Sequence, residues 1–422
     1  MYQLTRLNNG LRVLTVPMPH VQSVSIGIFM GVGSRYESAA ISGTSHFIEH
    51  MVFKGTANWP TARDIAEAIE GKGGVFNAST GLESTLYWAK VAAAHLPEAL
   101  GVLSDMLLRA TFDPMEIEKE RAVIGEEINY SLDAPDSLAQ ILANALQWPN
   151  HPLGRDVAGT RETVASISRE TLLDYRLDHY RPNTAILGLA GKITHAQALE
   201  LAHKYLAGWE PGRTMDWEPA PPNGAGPNLH VGSKQTEQAH LVLSFAGLSR
   251  DDPDRFAARL LNVILGEGMR SRLFQKVREE LGLAYSVDAY TSTLQDTGAM
   301  GIYAGVATAR SEEAVRAILD QLDQLRQEPV PEDELARAKE FIRGRLALSL
   351  EDSFAVATWY ARQELLAAEV LEPRQVIEQL EAVQAQDVQR LARAVFRQEH
   401  LNLAAVGPFA ENGERFQQAI RF

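Results

Sequence analysis

In the stretch GTSHFIEHM, His46, Glu49 and His50 fall at positions i, i+3 and i+4. On an α-helix such positions fan over roughly 100° of one face. Two neutral imidazoles so placed can hold one metal ion, and the glutamate between them can stand over an attacking water without taking a ligand position. The pattern reads as metal-assisted hydrolysis with Glu49 as proton acceptor, on a helix capped by Thr44 or Ser45. The chain contains no cysteine. Thiolate sites, disulfides and cysteine nucleophiles are therefore excluded, and any metal must use His, Asp or Glu.

A hydrolytic zinc site needs a third protein ligand and an open position for water. The segment FDPMEIEKERAVIGEEINYSLDAPDS, from Phe112, reads as a helix opened by Asp113 and Pro114. Its apolar stripe is centred on Ile117, Ile124 and Ile128, flanked by Val123, and both Glu120 and Glu127 fall within that face. A buried carboxylate needs a partner, and a metal is one. The wheel therefore selects Glu127 or Glu120, and leaves Glu126, on the opposite side, as a solvated charge.

These residues resemble a known family, the inverted-motif zinc peptidases of the pitrilysin and insulin-degrading-enzyme type (family M16), and within it the mitochondrial processing peptidase-like branch (M16B). HFIEH is similar to the family's inverted signature, and ERAVIGEE to its downstream element. The resemblance makes Glu127 the third zinc ligand beside His46 and His50, and Glu120 an outer carboxylate that hydrogen-bonds His50 or its neighbours. It implies a zinc endopeptidase in which Glu49 takes the proton of the attacking water and passes it to the leaving amine. GGVFNASTGLESTLYW, from Gly73, resembles the strand with which the family holds substrate, giving Asn77 and the backbone at Ala78 that role. GMRSRLFQKVREELGLAYSVDAY, from Gly268, looks like the family's Arg/Tyr element, so Arg278 and Tyr285 would orient the substrate carbonyl and steady the developing oxyanion.

The elements that must position these groups are distributed over 422 residues, more than one core usually organises. The Pro- and Gly-dense stretch Gly208–Asn228 reads as a linker. DHYRPNTAILGLAGKI, from Asp178, and AVFRQEHLNLAAVGPF, from Ala394, share a pattern at an offset of 216 residues, so one α/β unit is used twice. The same offset carries His46, Glu49 and His50 onto Asn262, Leu265 and Gly266, which implies one zinc per chain. Val24, Ile26, Ile28 and Met30 alternate as a strand, STLYWAKVA reads as another, and Leu96, Leu100, Leu103 and Leu107 recur at helical spacing. Hairpin-like neighbours favour an α+β fold over strict βαβ winding. With the resemblance, this implies two homologous metallohydrolase domains of the LuxS/MPP-like type, each a mostly antiparallel sheet covered by helices. The expected bounds are 1–210 for the zinc-binding catalytic domain, 211–228 for the linker, and 229–422 for the inactive domain carrying the Arg/Tyr element.

A net charge of −14 and the lack of Lys/Arg runs argue against nucleic acid or an anionic membrane, and would favour basic peptides as substrates. With 22% charged residues and no apolar run of membrane-spanning length, the chain reads as globular, and without a visible export signal the cytoplasm is the expected location. Family members of this length resemble half of a clamshell chamber and pair. Because the metal motif and the Arg/Tyr element share one chain, a homodimer is expected. The competing readings are a non-catalytic core-protein-like subunit, against which the intact metal set weighs, and a subunit active only with an unlike partner.

Overall fold

The alternation Val24, Ile26, Ile28, Met30 folds as strand β3 (Ser23–Met30), with all four side chains buried. They share a core with Leu96, Leu100, Leu103 and Leu107 of the helix Leu96–Arg109 and with Ile117, Ile124 and Ile128 of the helix Pro114–Asp133. In the computed structural model, which describes residues 2–222, 226–409 and 414–421, β3 is central in a six-stranded sheet. Its companions are β1 (Gln3–Arg6), β2 (Arg12–Pro17), β4 (Val75–Thr80), β5 (Thr85–Ala92) and β6 (Ala185–Gly191), ordered β1-β2-β6-β3-β5-β4. Only the β2–β6 pairing is parallel. β4 lies at the edge, with β5 as its one strand partner among the described residues.

The second face of this sheet is closed by the helix Ser353–Leu366, whose Val356, Ala357, Tyr360 and Ala361 pack on Leu14, Phe29 and Ile186. Coverage on both faces explains why β6, AILGLAG, is buried at every position. Gly188 permits the close approach of that helix, because a Cβ there would stand 2.8 Å from the Ala361 Cβ. At the start of the helix the Ser25 and Ser353 hydroxyls meet at 2.9 Å.

The second sheet comprises β7 (Asn228–Ser233), β8 (Gln238–Ala246), β9 (Ala284–Thr293), β10 (Gly298–Ala307) and β11 (Asn402–Gly407), ordered β7-β11-β8-β10-β9. Its single parallel pair is β7–β11. This succession of pairings repeats β2-β6-β3-β5-β4. β6 and β11, ending at Gly191 and Gly407, hold equivalent places. One face packs on the helices Arg255–Gly266, Ser311–Gln327 and Ala385–Val395. Helix Pro135–Gln147 covers the other, setting Ala139 and Ala143 against Val242, Ala404 and Val406.

The chain divides into two units, Met1–Ile128 with Asp156–Glu218 and Leu346–Glu372, and Asn129–Arg155 with Pro219–Arg345 and Pro373–Phe422. Each sheet thus borrows a covering helix from the other half of the sequence. The architecture is α+β, two mostly antiparallel sheets each layered with helices. The Pro- and Gly-dense stretch expected to be a linker is tied down at its start. Trp209 Nε1 donates to the Tyr180 carbonyl at 3.0 Å, and Asn183 exchanges two hydrogen bonds with the Gly212 backbone at 3.0 and 3.1 Å. Linker residues 223–225 lie outside the described residues. Among the described residues no helix is long and apolar enough to cross a membrane.

Candidate metal centre

The helix Thr44–Met51 buries Phe47, Ile48 and Met51 and turns His46, Glu49 and His50 to its half-buried side. Its N-terminus is held otherwise than by a Thr44 or Ser45 side chain. The Glu37 carboxylate accepts from Gly43 N at 2.8 Å and Ser45 N at 2.6 Å. This buried anion satisfies the free amides and complements the positive end of the helix. Thr44 and Ser45 are buried, and the Ser45 hydroxyl is engaged 3.0 Å from that of Tyr175.

Helix Pro114–Asp133 brings two carboxylates to the histidines. Glu127 places one oxygen 3.8 Å from His46 Nε2 and 3.5 Å from His50 Nε2. The three donor atoms lie within 4.8 Å of one another, the one such group among the described residues. Donors about 2.0–2.2 Å from a tetrahedral zinc stand about 3.3–3.6 Å apart, so the set fits that ion with small adjustment. Glu120 is buried behind His50, 3.0 Å from its Nδ1, and its other oxygen meets the Lys54 ammonium. A proton shared on Nδ1 leaves the Nε2 lone pair facing Glu127. Burial, assisted by the neighbouring His50, pushes the His46 pKa down to about 4. His46 is therefore a neutral imidazole at pH 7, as ligation requires.

The helical wheel placed Glu127 and Val123 toward the buried side. Glu120 is buried as expected, whereas the Glu127 side chain is 47% exposed and Val123 is 43% exposed. Glu127 stands against the half-buried histidines rather than against the apolar core, so its carboxylate stays open to solvent.

Glu49 is held by a residue that the motif does not contain. Thr80 Oγ1, at the end of β4, donates to Glu49 Oε2. Burial raises the Glu49 carboxyl above the usual carboxylate range, opposed by the Thr80 hydrogen bond. Phe76, Ala78 and Thr80 alternate along β4 on the side toward the histidine helix, and the Phe53 and Phe76 rings lie 5.5 Å apart. The period-2 pattern of FNAST was the available signal for Thr80. Asn77 is exposed on the alternate side, its Oδ1 accepting from Ala78 N at 2.8 Å.

Arg278 and Tyr285 belong to the other unit. Arg278 lies in a π-helical turn, Phe274–Glu280, with its guanidinium 4.7 Å from the Phe274 ring centre and 5.3 Å from that of Tyr285. Tyr285 is 74% exposed near the start of edge strand β9. In that unit Asn262 and Leu265 are buried, and a Cβ on Gly266 would lie 2.3 Å from Ala289 N. No histidine can be accommodated there without moving β9.

The insulinase model, "Insulinase (Peptidase family M16)", matches residues 12–161, and the model of the "Peptidase M16 inactive domain" matches 166–342. A Bacillus subtilis protein named as the uncharacterized zinc protease YmxG is 38% identical over 95% of this chain and 97% of its own length. The Streptomyces coelicolor uncharacterized zinc protease SCO5738 is 34% identical over 99% of this chain and 92% of its own. Among solved structures, a protease from Helicobacter pylori superposes with a TM-score of 0.89 at 23% identity, covering 97% of this chain and 99% of that one, a likeness of fold. The matching family models and the near full-length relatives agree with the two-sheet architecture, and the chain belongs to peptidase family M16, the insulinase family.

Proposed function

We propose that this chain is a zinc-dependent endopeptidase of the processing-peptidase-like branch, cleaving peptides or unfolded segments inside a clamshell chamber formed by a homodimer. The observation that carries the reading is the convergence of His46, His50 and Glu127, with Glu49 beside them. The names of the Bacillus and Streptomyces relatives as zinc proteases support the choice of metal. His46, His50 and Glu127 would hold the ion. When bound, zinc supplies Lewis-acid activation of the attacking water and of the substrate carbonyl.

The chain's own groups account for the rest. Glu49, restrained by Thr80, receives the water proton on its carboxylate and delivers it to the leaving amine. Glu120 keeps the His50 ring oriented. The edge of β4, which has no strand partner on its outer side among the described residues, takes substrate as an added strand, with Asn77 and the Ala78 backbone as contacts. Arg278 and Tyr285 steady the carbonyl oxygen as charge develops on it. In this reading residues 1–210 form the catalytic domain, 211–228 the linker, and 229–422 a second domain that supplies the Arg/Tyr element.

The test is hydrolysis of an internally quenched basic peptide by the purified single chain, with and without chelator, beside Glu49→Gln. Activity abolished by chelator, restored by zinc and absent in the variant is the expected result. A zinc-loaded wild-type chain without activity would overturn the self-sufficient enzyme in favour of a partner-dependent or non-catalytic subunit.

A further inference from the structure

The histidine helix and the β4–β5 hairpin are separate elements that must keep Glu49 and Thr80 in register, and one short turn, Ser34–Tyr36, ties both. Toward the hairpin, Ser34 N donates to the Gly81 carbonyl at 3.1 Å and Arg35 N to that of Leu82 at 2.9 Å. The side chains add to this, as Arg35 Nη1 meets Glu83 Oε1 at 2.7 Å with both groups buried. Toward the helix, the next residue, Glu37, caps Gly43 and Ser45. Thr80, which holds Glu49, immediately precedes the hairpin turn.

Arg35 is the keystone of this turn, and the linker closes over it. Its guanidinium carbon lies 3.8 Å from the ring centre of Trp217, and Nη2 donates to the Glu218 carbonyl at 3.1 Å. Arg35 is only 1% exposed, so its hydration is replaced by Glu83, the Trp217 π-face and the linker backbone. A cation–π contact is strongest in such a desolvated setting. We infer that Trp217 is a positioning residue: by clamping Arg35 it fixes the turn that aligns Thr80 on the hairpin with Glu49 on the histidine helix. The inference rests on the peptidase reading for its kinetic consequence, and on the Arg35–Trp217 contact for its structural one.

Both consequences are measured on the full chain with Trp217→Ala, with Trp217→Phe to restore an aromatic face. Amide hydrogen exchange of the metal-free protein is read over peptides containing Ser34–Glu37 and Gly81–Ser84. Trp217→Ala should exchange about tenfold faster there, the fold-change of one lost cation–π contact, with β3 and β6 unchanged and Trp217→Phe close to wild type. In the zinc-loaded enzyme, kcat should fall about tenfold or more at unchanged KM and zinc affinity, as a small misplacement of a catalytic group costs. Combining Trp217→Ala with Thr80→Val should cost less than the product of the two single effects. Unchanged exchange in Trp217→Ala, or kinetic effects that multiply independently, would overturn the inference. A wild-type chain without activity would instead remove the peptidase reading, while the exchange result still decides whether the clamp exists.

Discussion

Glu120 stands 3.0 Å from Nδ1 of His50 and binds the Lys54 ammonium through its second oxygen. The carboxylate is buried and cannot be exchanged for water without leaving Lys54 and His50 both unanchored. In the proposed zinc site its contribution would therefore be orientation and basicity of the His50 ring, through a bond on the side away from Glu127.

Glu120→Gln keeps the shape of that side chain and removes its charge. Zinc affinity should fall about 10–100-fold, the usual cost of losing an outer partner of a ligating histidine. Competition with a chelator of known affinity reads this directly, and wild-type affinity in the variant would show that Glu120 serves only Lys54.

Adjacent glutamates on the same helix make a matched pair. Glu127 reaches both Nε2 atoms, whereas Glu126 is exposed and outside the metal-capable group. Glu127→Gln should lose more zinc affinity than Glu120→Gln does, and Glu126→Gln should bind zinc as the wild type. Zinc binding by Glu127→Gln as tight as that of Glu126→Gln would remove Glu127 from the proposed ligand set.

The parts of the centre that repeat with the helical period were legible in sequence. His46, Glu49 and His50 share a face because 3.6 residues per turn demand it, and Glu120 is buried because its neighbours on the wheel are isoleucines. Contacts made between separate elements were not. Thr80 on Glu49, Glu37 on the helix N-terminus and Lys54 on Glu120 depend on which elements become neighbours. The exchanged helices show the same limit, since the apolar stripe of Ser353–Leu366 reports that something covers it but not which sheet. The shared succession of pairings in the two sheets agrees with the repeat that Tyr180–Gly191 and Phe396–Gly407 display, although the strand order itself was not legible in the sequence.

The exchange of covering helices can be tested by overpacking one seam. Ala361 is fully buried against Gly188 at the centre of the first sheet. Ala361→Leu adds three carbons where there is no space, and should destabilise the first unit by about 1–3 kcal/mol. Urea unfolding followed by hydrogen exchange should show early opening of β6, with β11 unaffected. Early opening of β11 instead would contradict the placement of this helix on the first sheet.

Acid sensitivity should trace in part to His179, far in sequence from the candidate metal-binding residues. Its ring stacks 4.0 Å from that of Tyr175 and lies edge-on to Tyr36 at 6.0 Å. Burial lowers its pKa to about 4, with Asp178 opposing the shift. In the unfolded chain a histidine titrates near 6.5. Between those two values the unfolded state binds a proton that the folded state refuses, so stability rises with pH across the window. The cost is absent above about 6.5, grows on acidification, and is complete below about 4. After allowance for partial solvent screening it should reach about 1–2 kcal/mol. His179→Phe keeps the stacked ring and removes the titration. Because His46 and the carboxylates titrate in both proteins, the comparison is the difference between wild type and variant, measured metal-free by urea unfolding at pH 7 and pH 4.5. The variant should lose less stability than the wild type over that interval, and equal losses would show that His179 is protonated in the folded protein.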